Sequence, residues 1–140
     1  MNTRIFKQVE ELALGLVAAA EKDDDVLFKG LYGQLDQLCN HLEGSKNDHP
    51  VLWETLADFT EENPQALVLY RKAYLLADSL KDNEYKASIQ FSLGQRLSED
   101  GAHQEALEEL SLSEKFAAFT EDDVLKQDIQ ELIAELKTEI

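Results

Sequence analysis

The side chains of this 140-residue chain that could do chemistry are 29 carboxylates, three histidines and one cysteine. A pair of carboxylates can serve as general acid and base, but most of these acids fall at helical positions left facing solvent, where solvation explains them. Asp23, Asp24 and Asp25 stand together as a Ca²⁺ loop might begin. Such a loop needs oxygen ligands at alternating positions and an internal glycine, whereas Val26-Leu27-Phe28 follows at once. The simpler assignment is an N-cap and first-turn acids, which exposed amides and the helix dipole favour. Cys39 lies on an apolar stripe, the setting of an inert buried thiol, and has no second cysteine with which to form an internal disulfide. His41 lacks an acidic or thiol partner at a diagnostic spacing. There is no glycine-rich phosphate loop, nucleophile elbow, paired-histidine motif or CxxC. The expectation is a protein that is not an enzyme, with no catalytic residue, metal site or cofactor.

The charge bears on the choice of partner. A net charge of -16, spread evenly over the two halves of the sequence, repels nucleic-acid phosphates and anionic lipid. No nucleic acid and no membrane are therefore expected as partners; another protein or peptide, basic or neutral, is. Solubility alone is the competing explanation of the acidity. No apolar run approaches the ~18 residues of a membrane span, and the start of the chain lacks the uninterrupted apolar core of a signal peptide. A cytoplasmic location is the default expectation.

Length and 44% apolar content suit one domain over residues 1–140. Only two prolines and six glycines interrupt a composition rich in Leu, Ala, Glu, Lys and Gln, which predicts an all-α fold. Apolar residues at helical spacing place helices over about 3–22, 26–43, 50–60 and 63–80. Three more follow, the fifth ending before Asp100-Gly101 and the last starting after Thr120. Gly44 suits a helix end, with Asn47 or Asp48 capping the helix that Pro50 opens. Asn63 should cap the helix whose first position is Pro64. Gly30 and Gly33, inside the second helix, imply either a closely packed neighbour or local looseness. Trp53 is read as packing between helices, with a partner anchor as the other use.

The chain also compares with itself. A shift of 40 residues brings Ala66, Leu67, Tyr70, Ala73 and Ala77 onto Ala106, Leu107, Leu110, Ser113 and Ala117. Within residues 87–118, Leu93-Gly94, Leu97, Gly101, His103 and Ala106-Leu107 stand in the order and spacing of a tetratricopeptide repeat (TPR). The chain thus resembles that family. Departures are Gln90 at the usual Trp position, Ser113 for a common alanine and Ala118 where the terminal proline is expected.

The resemblance implies antiparallel helical hairpins stacked as a TPR-like right-handed superhelix, about seven helices in all, closed by a polar-backed C-terminal capping helix. It also implies a concave groove, built from the first helices of the hairpins, that holds an extended peptide or partner helix. In that groove the resemblance places Phe91, Gln95, Ser98 and Glu99, which lie off the Ile89, Leu93, Leu97 stripe. Phe91 is about 200° around the helix from Ile89, so it either faces the groove or packs on an adjacent hairpin. The resemblance implies an adaptor, scaffold or chaperone-like module; the acidity gives the alternative, a small acidic inhibitor of the immunity type that blocks a basic toxin or effector.

Overall fold

The computed structural model describes residues 2–139, whose helices are α1 (Thr3–Glu21), α2 (Asp25–Leu42), α3 (Pro50–Asp58), α4 (Asn63–Ser79), α5 (Asn83–Glu99), α6 (His103–Ala117) and α7 (Asp123–Glu139). No strand occurs among the described residues. The fold is all-α.

The helix starts follow from side chains that accept otherwise unpaired amides. Asn2 receives the Ile5 N–H at 2.9 Å, Asp24 that of Leu27 at 3.1 Å, Asp82 that of Tyr85 at 3.1 Å and Asp122 that of Leu125 at 3.0 Å. Asp24 and Asp25 are accordingly the cap and first turn of α2, whereas Asp23, at a φ of 53°, closes the end of α1. Gly44 and Gly101 take positive φ, 75° and 79°, where a side chain would be strained.

Two starts differ from expectation. The cap of α3 is His49, whose Nδ1 accepts from Val51 N at 3.1 Å. Asp48 is occupied elsewhere, accepting from Gly44 N at 2.9 Å and from the Trp53 indole at 2.7 Å. Asn63 is the first residue of α4 rather than its cap, because its amide is used in contacts to α5 described below.

Short connections make α1–α2, α3–α4 and α5–α6 antiparallel hairpins, and α7 packs on α6. The odd-numbered helices also approach closely in series, α1 to α3, α3 to α5 and α5 to α7, whereas the even-numbered helices lie farther apart, α4 meeting α6 through the Arg71–Glu109 ion pair and the Tyr74 and Phe116 rings. One layer is therefore continuous and the other spaced.

Leu16, Leu35, Leu52, Leu56 and Ile89 are fully buried in a core that runs from α1 to α5. Trp53 belongs to this core at 2% exposure, with the Lys72 ammonium over its ring at 3.8 Å. Cys39 is buried, donates to Leu52 O at 3.2 Å, and burial pushes its thiol up to about 12, so it stays protonated and inert. Beyond α5 the core continues as two smaller clusters, Leu97 with Ala106, Leu110 and Leu136, and Ala87 with Ala117 and Ile129.

Close approach occurs at Gly94, where an added Cβ would lie 2.7 Å from Leu110 Cγ, and at Gly15, where it would meet Leu31 at 2.9 Å. At Gly30 and Gly33 nothing lies within 4 Å, so close packing is not the reason for glycine there.

Candidate binding site

Helix α5 sits at the middle of the continuous layer, and each of its faces has a different neighbour. At about 100° per residue, Lys86, Ile89, Gln90, Leu93 and Leu97 form the inner stripe, and all are buried. Gln90 is satisfied there by Glu109 of α6, 2.5 Å from its Nε2. Ser113 of α6 likewise donates to Ala87 O at 2.7 Å.

The edge toward α3 is polar. Ser88 donates to Glu54 of α3 at 2.7 Å, and Glu54 is only 9% exposed. Desolvation pushes the Glu54 carboxyl up to about 7, against the Ser88 hydrogen bond, with the charge of Asp58 adding to the rise. Arg96 reaches further along the same edge. Its guanidinium donates to Ala57 O at 3.1 Å, to Asn63 Oδ1 at 2.8 Å and, at 3.4 Å, to the carbonyls of Asp58 and Glu61. Those carbonyls belong to the end of α3 and the turn after it, where a helix runs out of its own amide donors; Ala57 O also accepts from Thr60 N at 3.0 Å. Asn63 in turn donates to Asp100 at 2.7 Å. Asp58 is exposed at its rim, yet its Oδ1 accepts from Tyr70 at 2.5 Å, and desolvation raises its carboxyl despite the opposing pull of Tyr70 and Arg96.

The edge toward α7 is apolar. Phe91 is half-buried and packs against both small clusters, beside Ile133 of α7. Of the two places open to Phe91 in the sequence, packing on the adjacent element is the one it takes. Ser98 lies toward the same edge; it is half-buried and its hydroxyl donates to Gln95 O at 3.0 Å. Between the edges runs an open stripe. Gln95 and Glu99 are exposed on it, flanked by half-buried Ser88 and Ser92 and exposed Glu84. The structure thus brings Gln95 and Glu99 together on a free face and turns Phe91 and Ser98 toward α7.

Glu54, Ser88 and Arg96 were not singled out by sequence reasoning. Glu54 had one legible signal: it sits within Leu52-Trp53-Glu54-Thr55-Leu56-Ala57, in a helix too short and too apolar to leave each residue a solvent face. Arg96 had none, because its acceptors are backbone carbonyls more than thirty residues away.

On the opposite side, a cleft of about 380 Å³ between α4 and α6 is lined by Tyr74, Leu75 and Leu112. The Arg71–Glu109 ion pair, 3.7 Å, is part of its lining, so its charged groups are already paired with each other. No group of three or more metal-ligating side chains occurs among the described residues, and no helix among them is long and apolar enough to cross a membrane. No protein-family model, curated protein or solved structure matches the chain significantly.

Proposed function

We propose that this protein is a tetratricopeptide-like protein-interaction module that holds a basic peptide or helix of another protein against the α5 face of its continuous helical layer. The odd-to-odd helix contacts support the right-handed superhelical stack implied by the resemblance, with the odd helices inside. The observation that carries the reading is the open stripe of α5: Gln95, Glu99 and Glu84 are exposed on a face whose apolar residue, Phe91, is engaged with α7. A face of amides and carboxylates recognises its partner by hydrogen bonds and charge rather than by apolar burial. The net charge of -16 steers a basic segment toward it.

An acidic inhibitor of a basic toxin or effector is the second reading, favoured by the same charge. Both place the partner's cations on this protein's carboxylates, and neither assigns a reaction to it. Affinity capture from the native cell, with wild type and a Glu99→Lys bait, tests the proposal. A basic partner that elutes with salt and is absent from the Glu99→Lys capture is the expected result. Failure to recover a specific partner, or turnover of a substrate by the purified protein, would sink it.

A further inference from the structure

Away from the α5 face, the start of α2 and the turn between α3 and α4 enclose a cleft of about 340 Å³. Its walls carry the rings of Phe28, Tyr32 and Phe59, with Glu61, Glu62 and Lys29 at the rim. Phe28 and Phe59 meet edge to face, ring centroids 6.3 Å apart and planes inclined by 65°. The Thr60 hydroxyl gives its single proton to Leu56 O at 2.8 Å, so the Tyr32 hydroxyl, 2.6 Å away, is the donor between them. That bond ties α2 to the turn. Arg96 holds the turn from the other side, through the carbonyls of Asp58 and Glu61. The cleft is thus built before any ligand arrives, which lowers the ordering cost of binding.

Its chemistry selects for a cation. Aromatic faces attract positive charge through their quadrupole, and the Glu61 and Glu62 side chains are exposed and make no ion pair among the described residues. A purely apolar occupant would leave those carboxylates idle. A planar guanidinium can stack on a ring and donate in a fork to carboxylates at once, which an ammonium cannot do. Lys29 is the cleft's only basic neighbour among its lining residues. Among the described residues no cation–aromatic contact involves it, whereas Lys72 and Lys86 each make one elsewhere.

We infer that the cleft between α2 and the α3–α4 turn binds an arginine side chain of a partner protein, its guanidinium against the Phe28, Tyr32 and Phe59 rings and its donors on Glu61 and Glu62. This rests on the reading of the protein as a binder of basic segments, but the cleft is separate from the α5 stripe, so the two can fail separately. Arginine here would fix the register of a segment running onto the neighbouring helices.

The test is a titration of the ¹⁵N-labelled full chain with a capped alanine pentapeptide carrying one central arginine, at low salt. The control peptide has citrulline, the neutral isostere, in its place. The expected result is saturable shifts at the start of α2 and in the α3–α4 turn, with the citrulline peptide bound about three- to fivefold more weakly. Phe59→Leu, which keeps apolar bulk but removes the ring, should weaken arginine binding by about threefold. The Glu61→Gln/Glu62→Gln pair should weaken it by about threefold as well. Lys29→Gln, at an exposed position remote from the core, should strengthen it. Glu99→Lys should leave the cleft titration unchanged, which separates this site from the α5 face. Equal binding of the two peptides, no saturable shift, shifts confined to α5, or insensitivity to both Phe59→Leu and Lys29→Gln would each overturn the inference.

Discussion

Helix α5 meets α3 through Ser88 and Arg96, side chains that donate to a buried carboxyl and to the last carbonyls of a helix end. It meets α7 through Phe91, which packs beside Ile133 and against clusters containing Ile129 and Leu136. The polar junction carries a desolvation cost that its hydrogen bonds must offset, and each bond is satisfied at a single register. The apolar junction has no such directional requirement; it is held by area and tolerates small shifts. One helix therefore has a fixed edge and an adaptable edge, with the open stripe of Gln95 and Glu99 between them. A binding face is defined to the extent that the fixed edge holds it.

The contrast can be broken first at the apolar junction. Ile129 is fully buried, and Ile129→Ala should cost about 4 kcal/mol in urea unfolding, combining lost transfer energy with a cavity. The loss should be the same at pH 5 and pH 8, because no titratable group is removed. A pH-dependent loss would mean that the two junctions are not chemically distinct.

The polar junction should respond to pH instead. Burial raises the folded-state carboxyl of Glu54 from its ordinary value of 4.5 to about 7, so between those values the unfolded chain releases this proton while the folded chain retains it. Its contribution to stability is complete below about pH 4.5 and is lost as pH rises to about 7. Glu54→Gln keeps an acceptor for Ser88 and removes the titration. It should be near neutral at pH 4.5 and stabilising by up to about 3 kcal/mol at pH 8, read from unfolding curves across that range. A stability difference that does not change with pH would contradict the burial of this carboxyl.

Smaller effects sharpen the comparison. Phe91→Ala, at a half-buried position, should cost about 2 kcal/mol while leaving the partner affinity of the folded protein unchanged. Arg96→Lys keeps the charge but loses the planar fork, and should cost about 1 kcal/mol. Hydrogen exchange should speed up in the α3–α4 turn of that variant before it does so in α7. Uniform acceleration would argue against a local brace.

Much of the helical arrangement could be read along the chain, because helix boundaries are set by nearby residues. Asp24 caps as its place in the aspartate cluster suggests, and Gly44 and Gly101 take the left-handed conformation expected of helix ends. Leu93-Gly94 stands at the repeat's spacing, and Leu110 of the next helix sits on Gly94. Competition between partners was not legible. Asp48 and Asn63 are sound caps locally, but the Trp53 indole engages the first, and Arg96 and Asp100 engage the second. The same limit applied to Phe91: periodicity removed it from the Ile89 stripe but could not say which neighbour it would meet. The aromatic cleft was hidden for a related reason, since Phe28 and Tyr32 read as ordinary members of an apolar stripe until α2 is set against the turn carrying Phe59.

The most direct test of the division of α5 is the dissociation constant of the captured partner at low and at physiological salt, for wild type, Glu99→Lys and Phe91→Ala. A polar, steering face predicts that wild-type affinity falls by about tenfold or more with added salt. It also predicts that Glu99→Lys binds weakly in both conditions and that Phe91→Ala follows wild type. Affinity that ignores salt and Glu99→Lys but is lost in folded Phe91→Ala would contradict the account, because it would place the partner on the apolar edge assigned to α7.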